Sequence, residues 1–352
     1  MGILNAATHP QRSSDRRSPA MRNLEARHYT DPGIHAADID RIFARTWQLV
    51  GPASRLKTRG DYIATEIAGQ KVFVIRASDG IRAFRNVCRH RGARLLPEGA
   101  GRCATIRCPY HQWVWGEDGS LLAVPWWGDD ADFDKTKWAL DSIQWQVWRG
   151  LLFVAIDPAE TLASQLGALT PEISAEPIES YAWVHKERLI FDANWKIYTD
   201  NFVEGYHIPG IHPAFHQAID FESFETVALD NMVKMSAPPK DGLFYRGKWL
   251  WMWPNWTLSL FDGGMNTSRI NPIEPGQTEM IYNFYFEDVS EDGAAPRAKT
   301  IADNLAIIRE DFEICIETHK NYASGAYRPG PLSPHHEQGV AYFQRRLLEA
   351  VV

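Results

Sequence analysis

Cysteine is scarce and long apolar runs are absent. Four cysteines in 352 residues do not suggest a disulfide framework. The apolar run Leu151-Leu152-Phe153-Val154-Ala155-Ile156 is strand-sized and far short of the roughly 20 residues a transmembrane helix needs. Positive charge is also short: 37 Lys and Arg stand against 44 Asp and Glu, and the net charge of −7 argues against a general nucleic-acid binder. Residues 1–20 carry Arg12, Arg16 and Arg17 among Ser and Pro without the apolar core of a secretory signal, and Ala6 stands where a myristoylation motif wants Ser or Thr. They read as a flexible tail, and a reducing cytoplasm is the simplest compartment. The length allows two domains, and 45% hydrophobic with 23% charged residues is ordinary globular composition.

What is present is concentrated in two short motifs. Cys88-Arg89-His90 is followed, after seventeen residues, by Cys108-Pro109-Tyr110-His111. Two thiolates and two imidazoles from paired loops form the ligand set of a [2Fe–2S] centre with two cysteines on one iron and two histidines on the other, a Rieske signature. Zinc accepts the same residue types, but zinc fingers usually group cysteine with cysteine and histidine with histidine, whereas each loop here mixes the two. Gly92, Gly99, Gly101, Pro97 and Pro109 break regular structure, so backbone amides and Tyr110 can turn toward sulfur and raise the reduction potential. Cys103 and Cys315 fall outside the ligand spacing and read as small buried hydrophobes.

Around these loops the pattern is β. Asp61–Thr65, Lys71–Ile75 and Ile81–Phe84 alternate and are separated by Gly69 and by Asp79-Gly80, a meander of antiparallel strands. The small β domain spans residues 45–158. Before it, Ile34, Ile39, Ile42, Phe43 and Trp47 suit an amphipathic helix over Asp31–Val50, and residues 21–44 form an N-terminal helical segment packing on a second domain. That domain, residues 159–352, has helices at Asn194–Gly205 and Pro296–Ser324 and strands at Lys186–Asp192, Leu250–Phe261 and Glu279–Asp288. Separate runs of helix and antiparallel strand make the chain α+β.

The second domain has its own metal-ligating pattern. His207 and His212 are separated by Pro209 and Gly210, which bend the chain out of a regular helix and can turn both imidazoles to one metal, although a pair at this spacing also suits surface or core histidines. Fe(II) held by two histidines and one carboxylate keeps positions open for dioxygen, a use for the electrons a cluster delivers. In Ile308-Arg309-Glu310-Asp311-Phe312-Glu313, Asp311 borders the apolar stripe while Glu310 and Glu313 fall nearer the solvated side; Asp311 is the expected third ligand, against a plain helix-face acid paired with Arg309 or a lysine.

These motifs, with Asn194-Trp195-Lys196, Glu204-Gly205-Tyr206-His207 and His212-Pro213, resemble the catalytic (alpha) component of the Rieske non-haem iron oxygenases from about Trp47 to the C-terminus. The resemblance implies an all-β Rieske domain, a helix-grip (START-like) catalytic domain with an antiparallel sheet and a long C-terminal helix, and a homotrimer in which one subunit's cluster feeds its neighbour's iron. It implies a [2Fe–2S] cluster on Cys88, His90, Cys108 and His111, mononuclear Fe(II) on His207, His212 and Asp311, O2 as co-substrate, and NAD(P)H acting through a flavin/iron–sulfur reductase, with or without a ferredoxin. The acid bridging the two histidine shells is commonly aspartate in ring-hydroxylating members and is Glu204 here; with Trp253-Pro254-Asn255 and Tyr285-Phe286-Glu287-Asp288, this resembles the choline, glycine betaine and carnitine monooxygenase branch.

The expected activity is therefore that of a terminal oxygenase, a monooxygenase or N-demethylase on a small quaternary-ammonium or amine-bearing acid. An aromatic-ring dioxygenase or O-demethylase is the alternative within the fold, and a Rieske electron carrier or a structural zinc protein the alternatives outside it. Phe202, Trp249, Trp251, Trp253, Phe261, Tyr282 and Phe284 are candidate pocket residues, since such rings hold a quaternary ammonium by cation–π attraction; Tyr206 and Phe215 could join them. Arg246, Lys248 and Arg269 could meet a substrate carboxylate or simply be solvated. Arg85, Arg89, Arg91, Arg94, Arg102 and Arg107 crowd the cluster loops, a basic rim for an acidic reductase or a set of salt bridges.

Overall fold

The computed structural model describes residues 21–67, 69–238, 240 and 245–351, so the expected tail lies outside the described residues. The meander forms: Gly80–Arg85, Gln70–Ala77 and Asp61–Ile67 lie side by side, with Gly99–Arg102 at the far edge. Gly80 sits at φ 141°, in the region that favours glycine, which lets the chain reverse after Asp79. Strict alternation gives this sheet two buried faces. Val72 and Val74 pack against Leu152 and Val154 of a neighbouring sheet, while Phe73 and Ile75 pack beneath Cys88, Cys108, Trp113 and Trp115.

The apolar strand Leu151–Ala155 has no solvent face because it is shared. Leu152 and Val154 belong to the small β unit, and Leu151, Phe153 and Ala155 press on the large sheet, where Phe153 meets Trp256 edge-on at 5.4 Å. Burying one such large side chain contributes roughly 1.5–3 kcal/mol. The large sheet has seven antiparallel strands in the order Ala182–Phe191, Gln277–Phe286, Gly264–Glu274, Trp256–Phe261, Tyr245–Met252, Met232–Ser236 and Glu225–Leu229. Leu250, Met252, Leu258 and Leu260 face the β unit; Trp249, Trp251, Tyr282 and Phe284 face the helices Trp195–Phe202, Ala294–Ala323 and Gln338–Val351.

Several expectations are corrected. The N-terminal helix is only Pro32–Arg41, capped by the Asp31 side chain, and Gln48–Pro52 is a strand because Trp47 and Leu49 are drawn into the shared core beside Leu151–Ala155. Leu250–Phe261 is two strands, since the Trp253-Pro254-Asn255 turn folds back: Asn255 Nδ2 donates to Ile270 O and Ile270 N donates to Asn255 O, both at 2.8 Å. The helix Gln338–Val351 was not foreseen. Its Gly339 packs on the chain ahead of Glu204, where a Cβ would stand 1.9 Å from the Val203 carbonyl oxygen.

Arg269 is neither a surface residue nor a cavity residue. It is 2% exposed and crosses from the large sheet into the β unit, donating to Leu49 O (3.0 Å), Thr65 Oγ1 (2.9 Å) and Glu66 O (3.0 Å). Replacing it by leucine orphans those buried acceptors, and a loss of about 3 kcal/mol in chemical denaturation is expected, with Arg269→Lys losing less.

A second buried polar set ties the N-terminal segment to Trp195–Phe202. Lys196 pairs with Asp38, each side chain 2% exposed, and Asp200 accepts from Tyr29 Oη (2.6 Å) and Gln344 Nε2 (3.1 Å). Burial pushes the Asp200 carboxyl from its ordinary 3.8 up to about 7, more than Tyr29 and Gln344 pull it down. Between those values the folded chain holds the extra proton, so this group's contribution to stability falls as pH rises from about 4 to about 7 and then levels off, a change of about 4 kcal/mol. Denaturation curves of Asp200→Asn and the parent chain should therefore diverge with rising pH, the variant becoming relatively more stable.

Candidate active site

The two cysteine loops are built alike. Cys88 N donates to Ala93 O (2.8 Å) and Gly92 N to Cys88 O (3.0 Å); Cys108 N donates to Trp113 O (2.9 Å) and Gln112 N to Cys108 O (3.2 Å). The fifth residue of each loop takes positive φ, Gly92 at 74° and Gln112 at 60°. The buried Asn86 side chain clamps the first loop through Leu95 N, Leu96 N and Leu96 O. His90 and His111 lie 4.6 Å apart between ring centroids, with His90 stacked on Trp113 at 4.8 Å and His111 on Tyr110 at 3.8 Å.

This donor set fits a [2Fe–2S] cluster. Cys88 and Cys108 are free and buried, and His90 Nδ1 is buried without a hydrogen-bond partner. Burial raises the Cys88 thiol above its ordinary range, while the backbone N–H groups of His90 and Arg91, aimed at the sulfur, pull the other way. Tyr110 serves through its backbone: its N–H donates to Cys108 Sγ at 3.4 Å, and its exposed ring lies under the Arg91 guanidinium at 5.1 Å. Part of the arginine rim is spent on structure, Arg89 pairing with Asp141 and Arg102 with Asp61, whereas Arg91, Arg94 and Arg107 are exposed.

The second centre forms where three elements meet. Asn194 caps the helix Trp195–Phe202, the chain leaves it at Val203, His207 and His212 flank the single turn Ile208–Ile211, and Asp311 comes from the middle of Ala294–Ala323. One donor atom from each of His207, His212 and Asp311 lies within 4.8 Å of the others. Asp311 Oδ1 is 2.9 Å from His212 Nε2, 3.7 Å from His207 Nε2, and accepts from Asn201 Nδ2 at 2.7 Å. Each imidazole turns its other nitrogen to a glutamate: His207 Nδ1 to Glu204 Oε1 at 2.5 Å and His212 Nδ1 to Glu310 Oε2 at 2.7 Å. A carboxylate on Nδ1 fixes the tautomer and leaves Nε2 free for a metal, so this set fits Fe(II). Glu204 also closes its own loop, accepting from the backbone N–H of Tyr206 and His207.

A cavity opens onto this centre. Of the expected pocket residues it is lined by Phe202, Trp249 and Tyr282, together with Phe215 and Phe224, which lie 5.3 and 6.3 Å from the Trp249 ring. Trp251 and Trp253 are core instead, covered by Phe343 of the helix Gln338–Val351. Phe261 packs on Phe286, and Phe284 lies behind Tyr282 toward His185. Tyr206 is exposed and stacks on His336. Sequence reasoning missed Asn201 and Glu310, which became visible only through their partners, and Asn304, whose one signal is its position one face and two turns before Asp311.

The two centres define an iron–sulfur unit joined to a mononuclear-iron oxygenase unit. Residues 46–131 match the Rieske [2Fe-2S] domain, and 178–244 with 230–351 match the ring hydroxylating alpha subunit (catalytic domain). The chain belongs to the Rieske non-haem iron oxygenases, whose cofactors are the [2Fe–2S] cluster and mononuclear iron, with O2 as co-substrate. The catalytic unit sets aside the electron-carrier and zinc alternatives. The chain is 27% identical to chloroplastic choline monooxygenase of Spinacia oleracea over 90% of this chain and 75% of that one, and 28% identical to the carnitine monooxygenase oxygenase subunit of Escherichia coli (strain K12) over 93% of each. The solved quaternary ammonium Rieske monooxygenase CntA superposes with a TM-score of 0.84 at 25% identity, covering 95% of this chain and 96% of that one.

Glu310 gives this geometry a direct check. Glu310→Ala frees His212 Nδ1, and iron affinity should fall by about 10–100-fold in anaerobic titration while the cluster's visible absorption is unchanged.

Proposed function

We propose that this chain is a terminal oxygenase that hydroxylates or N-demethylates a small quaternary-ammonium or amine-bearing compound with electrons from a partner reductase. The carrying observation is the convergence of His207, His212 and Asp311 at one end of a cavity walled by Phe202, Phe215, Phe224, Trp249, Tyr198 and Tyr282. Aromatic faces attract a substrate cation, and the neighbouring carboxylates of Glu204 and Asp311 reinforce that preference. The names of the choline and carnitine monooxygenase relatives support the same substrate class.

In this reading Cys88, His90, Cys108 and His111 hold the cluster in a domain of residues 45–158, His207, His212 and Asp311 hold Fe(II) in residues 159–352, and residues 21–44 brace the latter. When bound, the cluster supplies single electrons and the iron activates dioxygen for insertion into a substrate C–H bond. The chain's own side chains do the positioning. Glu204 and Glu310 hold the Nδ1 protons of His207 and His212, Asn201 orients Asp311, and the aromatic wall excludes water and presents the carbon next to nitrogen. Glu204 is the electron-transfer bridge, joining His207 to a cluster histidine of the neighbouring subunit in a homotrimer; CntA is described with inter-subunit electron transfer, which supports this. Exposed Arg91, Arg94 and Arg107 steer an acidic flavin/iron–sulfur reductase, the route for NAD(P)H. The four free cysteines accord with a cytoplasmic location.

Oxygen uptake tests the reading. The reconstituted oxygenase with a reductase and NADH should consume O2 on addition of quaternary-ammonium compounds and release hydroxylated or demethylated product. Stimulation by aromatic acids alone would sink it.

A further inference from the structure

Tyr29 makes a buried hydrogen bond that substrate turnover leaves unused. It is 1% exposed, and its hydroxyl donates to Asp200 Oδ2 at 2.6 Å. Burial, and then the Asp200 carboxylate, push the phenol well above its ordinary range, so it does not give up its proton alone. Taking an electron from such a ring makes the hydroxyl strongly acidic, and the proton then needs an acceptor within hydrogen-bond reach. Asp200 is that acceptor.

The same carboxylate connects to the iron site. Asp200 and Asn201 are consecutive in the helix Trp195–Phe202, and Asn201 Nδ2 donates to Asp311 Oδ1 at 2.7 Å. Two hydrogen bonds and one peptide link therefore run from Tyr29 to an iron ligand, and electrons tunnel more readily along bonded atoms than across gaps. On its other side Tyr29 begins a stack of rings. The Tyr322 centroid lies 4.9 Å from that of Tyr29, and the Tyr327 centroid 4.3 Å from that of Tyr322. Exposure grows along the stack, from 1% at Tyr29 through 9% at Tyr322 to the partly exposed Tyr327. The tyrosines nearer the iron are equipped differently. Tyr198 and Tyr282 line the cavity, but their hydroxyls bond each other, and Tyr282 also bonds Ser268, all neutral partners.

We propose that Tyr29 is a redox-active tyrosine that discharges the iron site when oxygen has been activated and no substrate C–H bond is in reach. One electron leaves the Tyr29 ring for the iron site, the phenolic O–H bond breaks, and the proton moves to Asp200 Oδ2. The products are a neutral phenoxyl radical, a neutral carboxylic acid and an iron site reduced by one electron. A small reductant such as ascorbate, losing one electron at the surface, then restores the phenol across the Tyr322 and Tyr327 rings while Asp200 returns the proton. The route spares His207, His212 and the aromatic wall from oxidation, a protective activity separate from substrate turnover. It rests on the reading that places iron at His207, His212 and Asp311.

The test is freeze-quench electron paramagnetic resonance of the iron-loaded holoenzyme mixed with hydrogen peroxide, without substrate, at a pH above about 7, where Asp200 is a carboxylate. The wild type should give a tyrosine radical, identified by its narrowing when ring-deuterated tyrosine is incorporated, and protein carrying the cluster but no mononuclear iron should give none. Tyr29→Phe should lose the signal. Asp200→Asn should lose it too, since an amide oxygen still accepts the hydrogen bond but cannot take the proton, and this variant serves where Tyr29→Phe folds poorly. After repeated peroxide exposure, mass spectrometry should find more oxidised His207, His212 and Trp249 in both variants than in the wild type. A signal of wild-type size in either variant, or iron-loaded wild type without a tyrosine radical, overturns the Tyr29 proposal alone. Failure of the wild type to take up mononuclear iron overturns the iron-site reading with it.

Discussion

Charged groups gathered at the end of an apolar cavity have to be held by donors or they are driven apart by their own desolvation. The carboxylates of Asp311 and Glu204 meet the imidazoles of His207 and His212 under this constraint, half-exposed Glu310 holds His212 from outside the cavity, and the local structure answers it contact by contact. Asn201 donates to Asp311, the backbone of Tyr206 and His207 donates to Glu204, and each imidazole lies between two carboxylates. The helix Ala294–Ala323 has to cross the sheet at the height of Ile208–Ile211 for any of this to form. The large-sheet core, with Phe312 stacked on Phe191 at 4.0 Å next to Asp311, sets that height.

The scaffold works by sharing surfaces. Leu151–Ala155 packs on two units at once, Trp249–Trp253 alternates between helices and β unit, and Arg269 crosses the seam to bind backbone carbonyls. The cluster loops therefore rest on a β unit that is fastened to the back of the catalytic sheet, while the helices and the cavity occupy its front. Such a seam combines apolar burial, which supplies most of the stabilisation, with one hydrogen-bonded cation that fixes register.

The legible parts of the sequence were those whose chemistry is local. Cys88, His90, Cys108 and His111 lie in loops closed by bonds five residues long, and alternation alone exposed the meander. The Asn194 cap announced the helix Trp195–Phe202, but Pro209 and Gly210, expected to bend the chain out of a regular helix, lie within the single α-helical turn Ile208–Ile211, where a proline in the first turn loses no helical hydrogen bond. Long-range effects were opaque: Trp251 and Trp253 share their alternation with Trp249, yet Phe343 from the C-terminal helix turns them into core and leaves only Trp249 in the cavity. Glu310 looks solvated on its own helix, and its side chain is in fact 47% exposed, but His212 reaches it from ninety-eight residues away.

The sequence by itself determined the kind of chemistry, because ligand type and spacing are written in adjacent residues and a bent loop needs little else. Tertiary structure decided which carboxylates hold which imidazole, which rings face the cavity, and that Arg246 and Lys248 pair with Glu176 and Glu172 instead of entering it. Those outcomes depend on strands and helices far apart in the chain meeting at one place.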